Sequence, residues 1–473
     1  MKRRVAASLL VCASVLGCTV GPNYKRPPVV LPEHFYGAEA AVEEARSLAD
    51  MPWWELFEDS VLQDLIAEAL RNGYDVRLAA ARVEEARALY GVARSDLFPG
   101  IGYAAGFDRK RLDPVQAPSQ PTQTKWTVEV GFQWELDLWG RIRRQNEAAR
   151  ALYLATEEAR RGVALSLVSD VATAYFELRQ LDTELDIARR TTAAFEDTYE
   201  LFSRRLRGGA ASALETARAE ASLGQVAAQI PEIERAIVTK ENEINFLLGR
   251  NSQAIPRPEA EGPIPPAVPA GLPSTLLERR PDVRQAEESL IAANAGIGAA
   301  KASFFPTLSL TAFFGYVSPE LGGFFSTGNT WDANATLLGP LFAAGRIKKN
   351  FEAAKARFEQ AKIQYEASVN RSLSEVSGAL VDRMKLVETE SQRSRTVAAY
   401  QEAVRLANLR YASGLSAYFE VLDAQQQLFP AEISLAETHR DQLVAVVNLY
   451  KALGGGWQTQ GAVPPAKPAP TAP

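Results

Sequence analysis

The sequence predicts a mixed fold of very long helices and transmembrane β-strands, built by tandem duplication of one unit. Three observations carry this: an alternating strand that runs straight into an unbroken helical stretch, a second copy of the same design at a fixed offset, and strand pairs with one apolar and one wet face. Trp126, Val128, Val130, Phe132 and Trp134 alternate with Thr127, Glu129, Gly131 and Gln133, the period of two of a strand with unlike faces. From about Leu138 the residues are helix formers, and no proline occurs between Pro121 and Pro231. A helix from there to Leu206 is on the order of 100 Å long. Patterns of that length belong to coiled coils or helical arrays.

The duplication is read from register. Residues Leu136 to Ile142 (LDLWGRI) match Leu341 to Ile347 (LFAAGRI) at an offset of 205 positions, which also relates Gly209 to Gly414 and Leu248-Gly249 to Leu453-Gly454. Phe98-Pro99 and Phe305-Pro306 match at 207, so two residues are absorbed between the strands. Chance identities do not keep register over such a span; the chain is a tandem repeat. Each half reads as helix, strand, strand, long helix, turn, long helix.

Composition narrows the function classes. A length of 473 residues suggests about three domains, a prior that the repeat overrides. The net charge is −5, and loss of Lys2, Arg3 and Arg4 with an N-terminal leader takes it to −8, so no basic face for nucleic acid is expected. Cys12 and Cys18 are the only cysteines, which excludes a disulfide framework and a thiolate metal site. The two histidines, His34 and His439, have no ligand spacing around them, so no metal and no cofactor are expected. Gly208-Gly209 opens onto Ala and Ser rather than Lys, and Gly454-Gly455-Gly456 reads as a helix terminator, leaving no phosphate-cradling loop. No carboxylate pair sits in an apolar setting of the kind a general acid needs, and an enzyme is not expected.

Residues 1–17 read as a signal peptide: a basic start, an apolar run from Val5 to Leu16, and a small residue before cysteine. Val15-Leu16-Gly17-Cys18 resembles a bacterial lipoprotein signal, which implies a covalent lipid on Cys18; Thr19 after it favours sorting to the outer membrane. Thr19 to Pro27 (TVGPNYKRP) is held extended by its Pro and Gly. Cys18 to Pro27 resembles the opening of the TolC-like outer-membrane efflux factors, in particular the lipoprotein NodT-type branch that serves resistance-nodulation-division (RND) pumps. Trp53-Trp54 with Phe57, Leu62, Leu65 and Ile66, then Arg279 to Arg284 (RRPDVR) and Ala302 to Pro306 (ASFFP), extend the resemblance over essentially the whole mature chain.

The first repeat spans 18–255 with its N-terminal extension. Residues 28–52 read as a surface segment, and Leu56, Leu62, Leu65, Ile66 and Leu70 mark one helix face that Gly73 stops. A second helix is expected from Asp75 to about Asp96. Strands follow at about 100–108 and 126–136, and in the second repeat, 274–455, at about 307–317 and 330–338. Apolar Leu308, Leu310, Ala312, Phe314 and Tyr316 alternate with Thr307, Ser309, Thr311, Phe313 and Gly315, and Trp331, Ala333, Ala335 and Leu337 with Asp332, Asn334 and Thr336. Strand lengths of nine to eleven and terminal aromatics are features of membrane barrels. Four strands cannot close a barrel, and lipid tolerates no open edge, so subunits must share one. Two copies give eight strands and a filled interior, three give twelve and a lumen, and the pattern permits either. The resemblance implies three: a homotrimer with a shared 12-stranded β-barrel above a periplasmic α-helical barrel.

Ile347, Phe351, Ala354, Phe358, Ala361 and Tyr365, continuing through Val369, Leu373, Val376 and Leu380, form a coiled-coil-like seam. The helices end at Arg207-Gly208-Gly209-Ala210 and Ala412-Ser413-Gly414-Leu415, where Gly209 and Gly414 are expected at positive φ. The resemblance places these tips, with Gly208, Gly209, Ser413, Gly414 and Leu415, at the end where a periplasmic membrane-fusion adaptor docks. It also makes Phe419 an apolar plug and Asp423 an acidic ring member of a closed aperture. Arg218 is the repeat-equivalent of Asp423, which suggests that the two pair. Residues 256–273 read as a Pro-rich connector and 456–473 as a disordered tail. Lumen positions such as Glu129 and Asp332 suggest mild cation preference.

The expected protein is thus a passive exit duct linked through the adaptor to an inner-membrane RND-type pump, lipid-anchored in the outer membrane and reaching into the periplasm. Two alternatives stay open: the conduit of an ABC-driven exporter, distinguished by the partner crosslinked from cysteines at 212 and 413, and a poreless structural lipoprotein spanning the periplasm.

Overall fold

A computed structural model describes residues 19–37, 59–111, 122–258, 273–323, 325–326 and 328–455. Cys18 and the segment expected to be a signal peptide, Trp53-Trp54, most of the expected Pro-rich connector and the expected C-terminal tail lie outside the described residues. In order, the elements are α1 (Ser60–Asn72), α2 (Tyr74–Ser95), β1 (Gly100–Arg111), β2 (Thr122–Leu136), α3 (Arg141–Arg207), α4 (Ala213–Ala227), α5 (Gln229–Leu247), α6 (Leu276–Arg279), α7 (Pro281–Ala302), β3 (Thr307–Ser318), β4 (Asn329–Leu338), α8 (Arg346–Ala412) and α9 (Phe419–Ala452).

The duplication is visible in the backbone. Helices α3 and α8 each run 67 residues and begin at matching positions of the two halves. Gly140 and Gly345 (φ 80° and 84°), Gly209 and Gly414 (73° and 71°), and Gly249 and Gly454 (69° and 89°) share the left-handed conformation in pairs. The return legs differ. The single long helix expected after the first tip is two: α4 of 15 residues and α5 of 19 meet at Ala228, whereas α9 runs 34 residues with Pro430 inside it. Pro231 has no N–H to give the carbonyl of Ala227 four residues before it, and the first return leg breaks there.

The chain forms two compact units, one of Met1–Val29, Arg82–Glu157 and Gln285–Ala367, the other of Val30–Ala81, Glu158–Arg284 and Ser368–Pro473. The first contains the sheet, an antiparallel ladder in the order β1-β2-β3-β4. Its register sorts most residues between an apolar and a wet face, with Phe313, Val317 and Leu338 as apolar exceptions on the wet one. Tyr103, Val130, Phe314 and Trp331 lie in one row of the apolar face, and Ala104, Glu129, Gly315 and Thr330 in the neighbouring row of the wet face. Strands β1 and β2 pair beyond the alternating segment, with Lys110 opposite Gln123 and Arg111 opposite Thr122. Backbone pairing needs no apolar face, so the sequence pattern stops short of the ladder.

At the foot of the sheet Asp137 accepts from the N–H groups of Ile142 (3.1 Å) and Arg143 (2.8 Å), starting α3. Trp139 donates to the Pro306 carbonyl at 2.7 Å and stacks on Phe305 at 4.6 Å, tying the first repeat's strand–helix junction to the second repeat's helix–strand junction. The extended segment from Thr19 is fastened alongside. Val20 N–H donates to Trp139 O (3.0 Å), Arg144 to Asn23 (2.7 Å) and Asn294 to Pro22 O (3.0 Å). Arg26 grips Glu287 with two bonds of 2.6 and 2.7 Å, and Tyr24 donates to the same carboxylate at 3.1 Å. Burial and this carboxylate push the Tyr24 phenol up.

In the second unit Asp59 caps α1 through the N–H groups of Val61 and Leu62 and also accepts from the fully buried Tyr175 at 2.7 Å. Leu62, Leu65 and Ile66 join Tyr175, Leu178, Val376 and Val446 in the main core. Arg280, from the RRPDVR run, is buried and divides its donors among Asp282, Glu375 and the carbonyl of Ala452. Along α8 the seam positions Ala354, Tyr365, Val369 and Val376 are buried, and their charged neighbours face out.

Candidate functional site: the helical tips and the aperture residues

Both tips are made by the same backbone device. In the first, Gly209 N–H donates to Leu206 O (3.0 Å) and Ala210 N–H to Arg205 O (2.8 Å); in the second, Gly414 N–H donates to Tyr411 O and Leu415 N–H to Arg410 O, each at 2.9 Å. A residue with a Cβ resists the positive φ at each glycine, as expected. Gly208, Gly209, Ser413, Gly414 and Leu415 are all exposed, Leu415 by 71% of its surface.

The restart after each tip differs. Ser212 and Glu215 form a reciprocal capping box on α4: Glu215 N–H donates to the Ser212 hydroxyl (3.2 Å) and Ser212 N–H to the Glu215 carboxylate (2.8 Å). The backbone N–H of Ser212, and then its hydroxyl, hold the Glu215 carboxyl below the usual carboxylate range. The α9 start has no side-chain cap, and Ala417 stands where the repeat would place Ser212. Packing takes the place of the cap. Tyr418 is buried, its ring edge-on to Phe202 (4.7 Å) and Tyr411 (5.0 Å), its hydroxyl 2.6 Å from that of Thr198. Burial pushes the Tyr418 phenol up. Arg205 reaches the Tyr411 hydroxyl and lies over its ring at 5.4 Å.

Of the residues expected at the aperture, the structure brings Arg218 and Phe419 together. The guanidinium sits 5.7 Å from the centre of the Phe419 ring, a cation–π arrangement, and Phe419 is 58% exposed. Asp423 is exposed one helical turn further along α9. The Tyr411–Tyr418–Phe202 cluster was not singled out from sequence. Its signal was present: Tyr411 and Tyr418 are seven residues apart across Gly414, and Phe195 and Phe202 repeat at seven on the buried face of α3. Among the described residues no cluster of three or more His, Cys, Asp or Glu side chains could hold a metal ion, and no helix is long and apolar enough to cross a membrane.

A duplicated helix–hairpin–helix protomer with a face-sorted four-stranded sheet and glycine-turned helical tips defines an outer-membrane efflux channel subunit. The family profile "Outer membrane efflux protein" matches residues 65–250 and again 272–455, once per repeat, and the chain belongs to that family. Similar proteins include the probable efflux pump outer membrane protein TtgC of Pseudomonas putida, 36% identical over 463 residues covering 96% of each chain. Among solved structures, a membrane protein from Pseudomonas aeruginosa superimposes with a TM-score of 0.88 at 34% identity, over 93% of this chain and 98% of that one. The open state of the Neisseria gonorrhoeae MtrE outer membrane channel does so with a TM-score of 0.84 at 32% identity, again over 93% and 98%.

Proposed function

We propose that the chain is the exit duct of a tripartite RND-type efflux system, working as a trimer whose four-stranded sheets close into one twelve-stranded barrel. The observation that carries the reading is the sheet itself. One face is lined by Ile101, Tyr103, Val130, Phe314 and Trp331, the other by glycines, Glu129, Asp332 and Asn334, and β1 and β4 are both edges. In lipid such edges must be paired, and the partner that presents a matching edge is another copy. Three copies leave a lumen where two fill it.

The helices then extend into the periplasm, and their exposed tips are the surface for the adaptor, with the inner-membrane pump supplying energy. Phe419 and Asp423 form the aperture: an apolar side chain narrows it and a ring of carboxylates one turn away favours cations. Arg218 belongs to the same site through Phe419. A diacylglycerol-bearing Cys18 fits the anchored segment that begins at Thr19, since Val20 is bonded at the foot of the sheet, at membrane level. Intact-mass measurement beside Cys18→Ser tests the lipid.

Single-channel recording in planar bilayers tests the duct. The wild type is expected to give small or flickering currents and Asp423→Ala larger ones. Unchanged current in the variant removes Asp423 from the aperture; absence of current from both, despite insertion and trimer formation, removes the duct.

A further inference from the structure

We propose that Arg109 and Arg111 bind the phosphate groups of a glycolipid in the outer leaflet of the membrane. The inference rests on the barrel reading above and on the register of the sheet. Leu136, Trp134, Phe132, Val130, Val128 and Trp126 occupy the apolar face of β2. Ten residues separate its ends, so the row spans about 33 Å along the strand. At the tilt of membrane strands that is a height of about 25 Å, the height of the apolar band of an outer-membrane barrel. Phe107, paired with Trp126 at a ring distance of 4.5 Å, therefore sits at the upper boundary of the hydrocarbon, the level where aromatic girdles lie.

Strand β1 does not stop at that boundary. Arg109 and Arg111 continue the register of Ile101, Tyr103 and Phe107, so both are on the lipid-facing side, about 7 and 13 Å further along the strand. That is headgroup depth, at the end of the sheet away from the helices. Both are exposed, and across the ladder they face Thr124 and Thr122, so their own row offers neither guanidinium a carboxylate. Asp108 and Lys110 are on the opposite, lumen side, where Asp108 stands across from Lys125. A planar guanidinium gives a phosphate two parallel donors, and two arginines one pleat apart match a ligand with more than one phosphate. A guanidinium facing hydrocarbon would be costly, whereas one at headgroup level gains from an anionic lipid. Trimerisation repeats the pair three times around the rim.

The test uses full-length, delipidated protein in detergent, loaded with diphosphorylated lipid A, the retained lipid being counted by native mass spectrometry. Arg109→Gln/Arg111→Gln is expected to retain at least fivefold less than wild type, and dephosphorylated lipid A to bind wild type equally poorly. Lys110→Gln, on the opposite face, is expected to retain the wild-type amount. Equal retention by the double variant, an equal loss in Lys110→Gln, or displacement of the lipid by millimolar inorganic phosphate overturns the assignment. Bilayer conductance of the same preparations keeps the two readings apart: a double variant that conducts normally but loses lipid supports the headgroup site, and a wild type that never conducts tells against the barrel instead.

Discussion

The two helical tips are the same turn held in two different ways. Their backbones make the same two hydrogen bonds at repeat-equivalent positions, with φ of 73° at Gly209 and 71° at Gly414. Yet the first tip is secured from within, by the Ser212–Glu215 capping box, while the second relies on α3, whose Thr198, Phe202 and Arg205 engage Tyr418 and Tyr411. Glu420, the repeat-equivalent of Glu215, pairs with Arg410 at 3.3 Å instead of closing a box. Duplication preserved the turn and left the fastening free to diverge. The segment bearing Phe419 and Asp423 is thus held to its protomer by aromatic packing at its start, whereas the first tip adds a cap of its own.

The largest break in this comparison should come from Tyr418→Ala. Removing a buried aromatic side chain costs about 3–5 kcal/mol, and the loss should appear as a lower melting temperature in detergent and as faster amide exchange at 415–424 with the first tip unaffected. A wild-type melting curve and exchange pattern would mean that the aromatic contacts do not hold the second tip. A smaller and symmetrical effect is expected at the glycines. A Cβ at either Gly209 or Gly414 meets nothing within 4 Å, so Gly209→Ala and Gly414→Ala should each cost about 1–2 kcal/mol from backbone strain alone. Unequal losses, compared by thermal melting, would show that the two turns are not equivalent.

The smallest effect belongs to the cap. Ser212→Ala should cost about 1 kcal/mol and increase exchange at 213–216 only. Because the folded state lowers the Glu215 pKa, its contribution is present above the ordinary carboxylate range and lost as pH falls through the depressed value. Acidification should therefore loosen the first tip in wild type and have less to remove in Ser212→Ala. Exchange measured at neutral and acid pH checks both; acid loosening of the second tip to the same degree would end the distinction.

Much of this architecture was legible in the residues. Alternation from Trp126 to Trp134 located β2, the constant offset revealed the duplication, and Gly209 and Gly414 marked the turns, because these features arise from local periodicity and backbone sterics. The ends of β1 and β2 were not legible, since ladder pairing at Arg111 and Thr122 leaves no hydrophobic pattern. The break at Ala228 follows from Pro231, but Pro430 lies inside an unbroken α9, so a proline alone does not announce a break. The residues expected at an aperture were named through family resemblance. The contact of Arg218 with Phe419 was visible only in three dimensions, because no local periodicity relates the two positions.

By itself the sequence determined the strands, the two long helices, the internal repeat, the alternation of strand faces and the need for partner subunits, because each depends on neighbours a few residues apart or on counting strands. Only the tertiary structure decided which side chains meet: Trp139 with Pro306, Tyr418 with Thr198 and Phe202, Arg26 with Glu287. Such contacts join residues more than 150 positions apart in the chain, and no local periodicity encodes them; they exist because folding brings junctions, helix faces and the extended N-terminal segment from distant parts of the chain together.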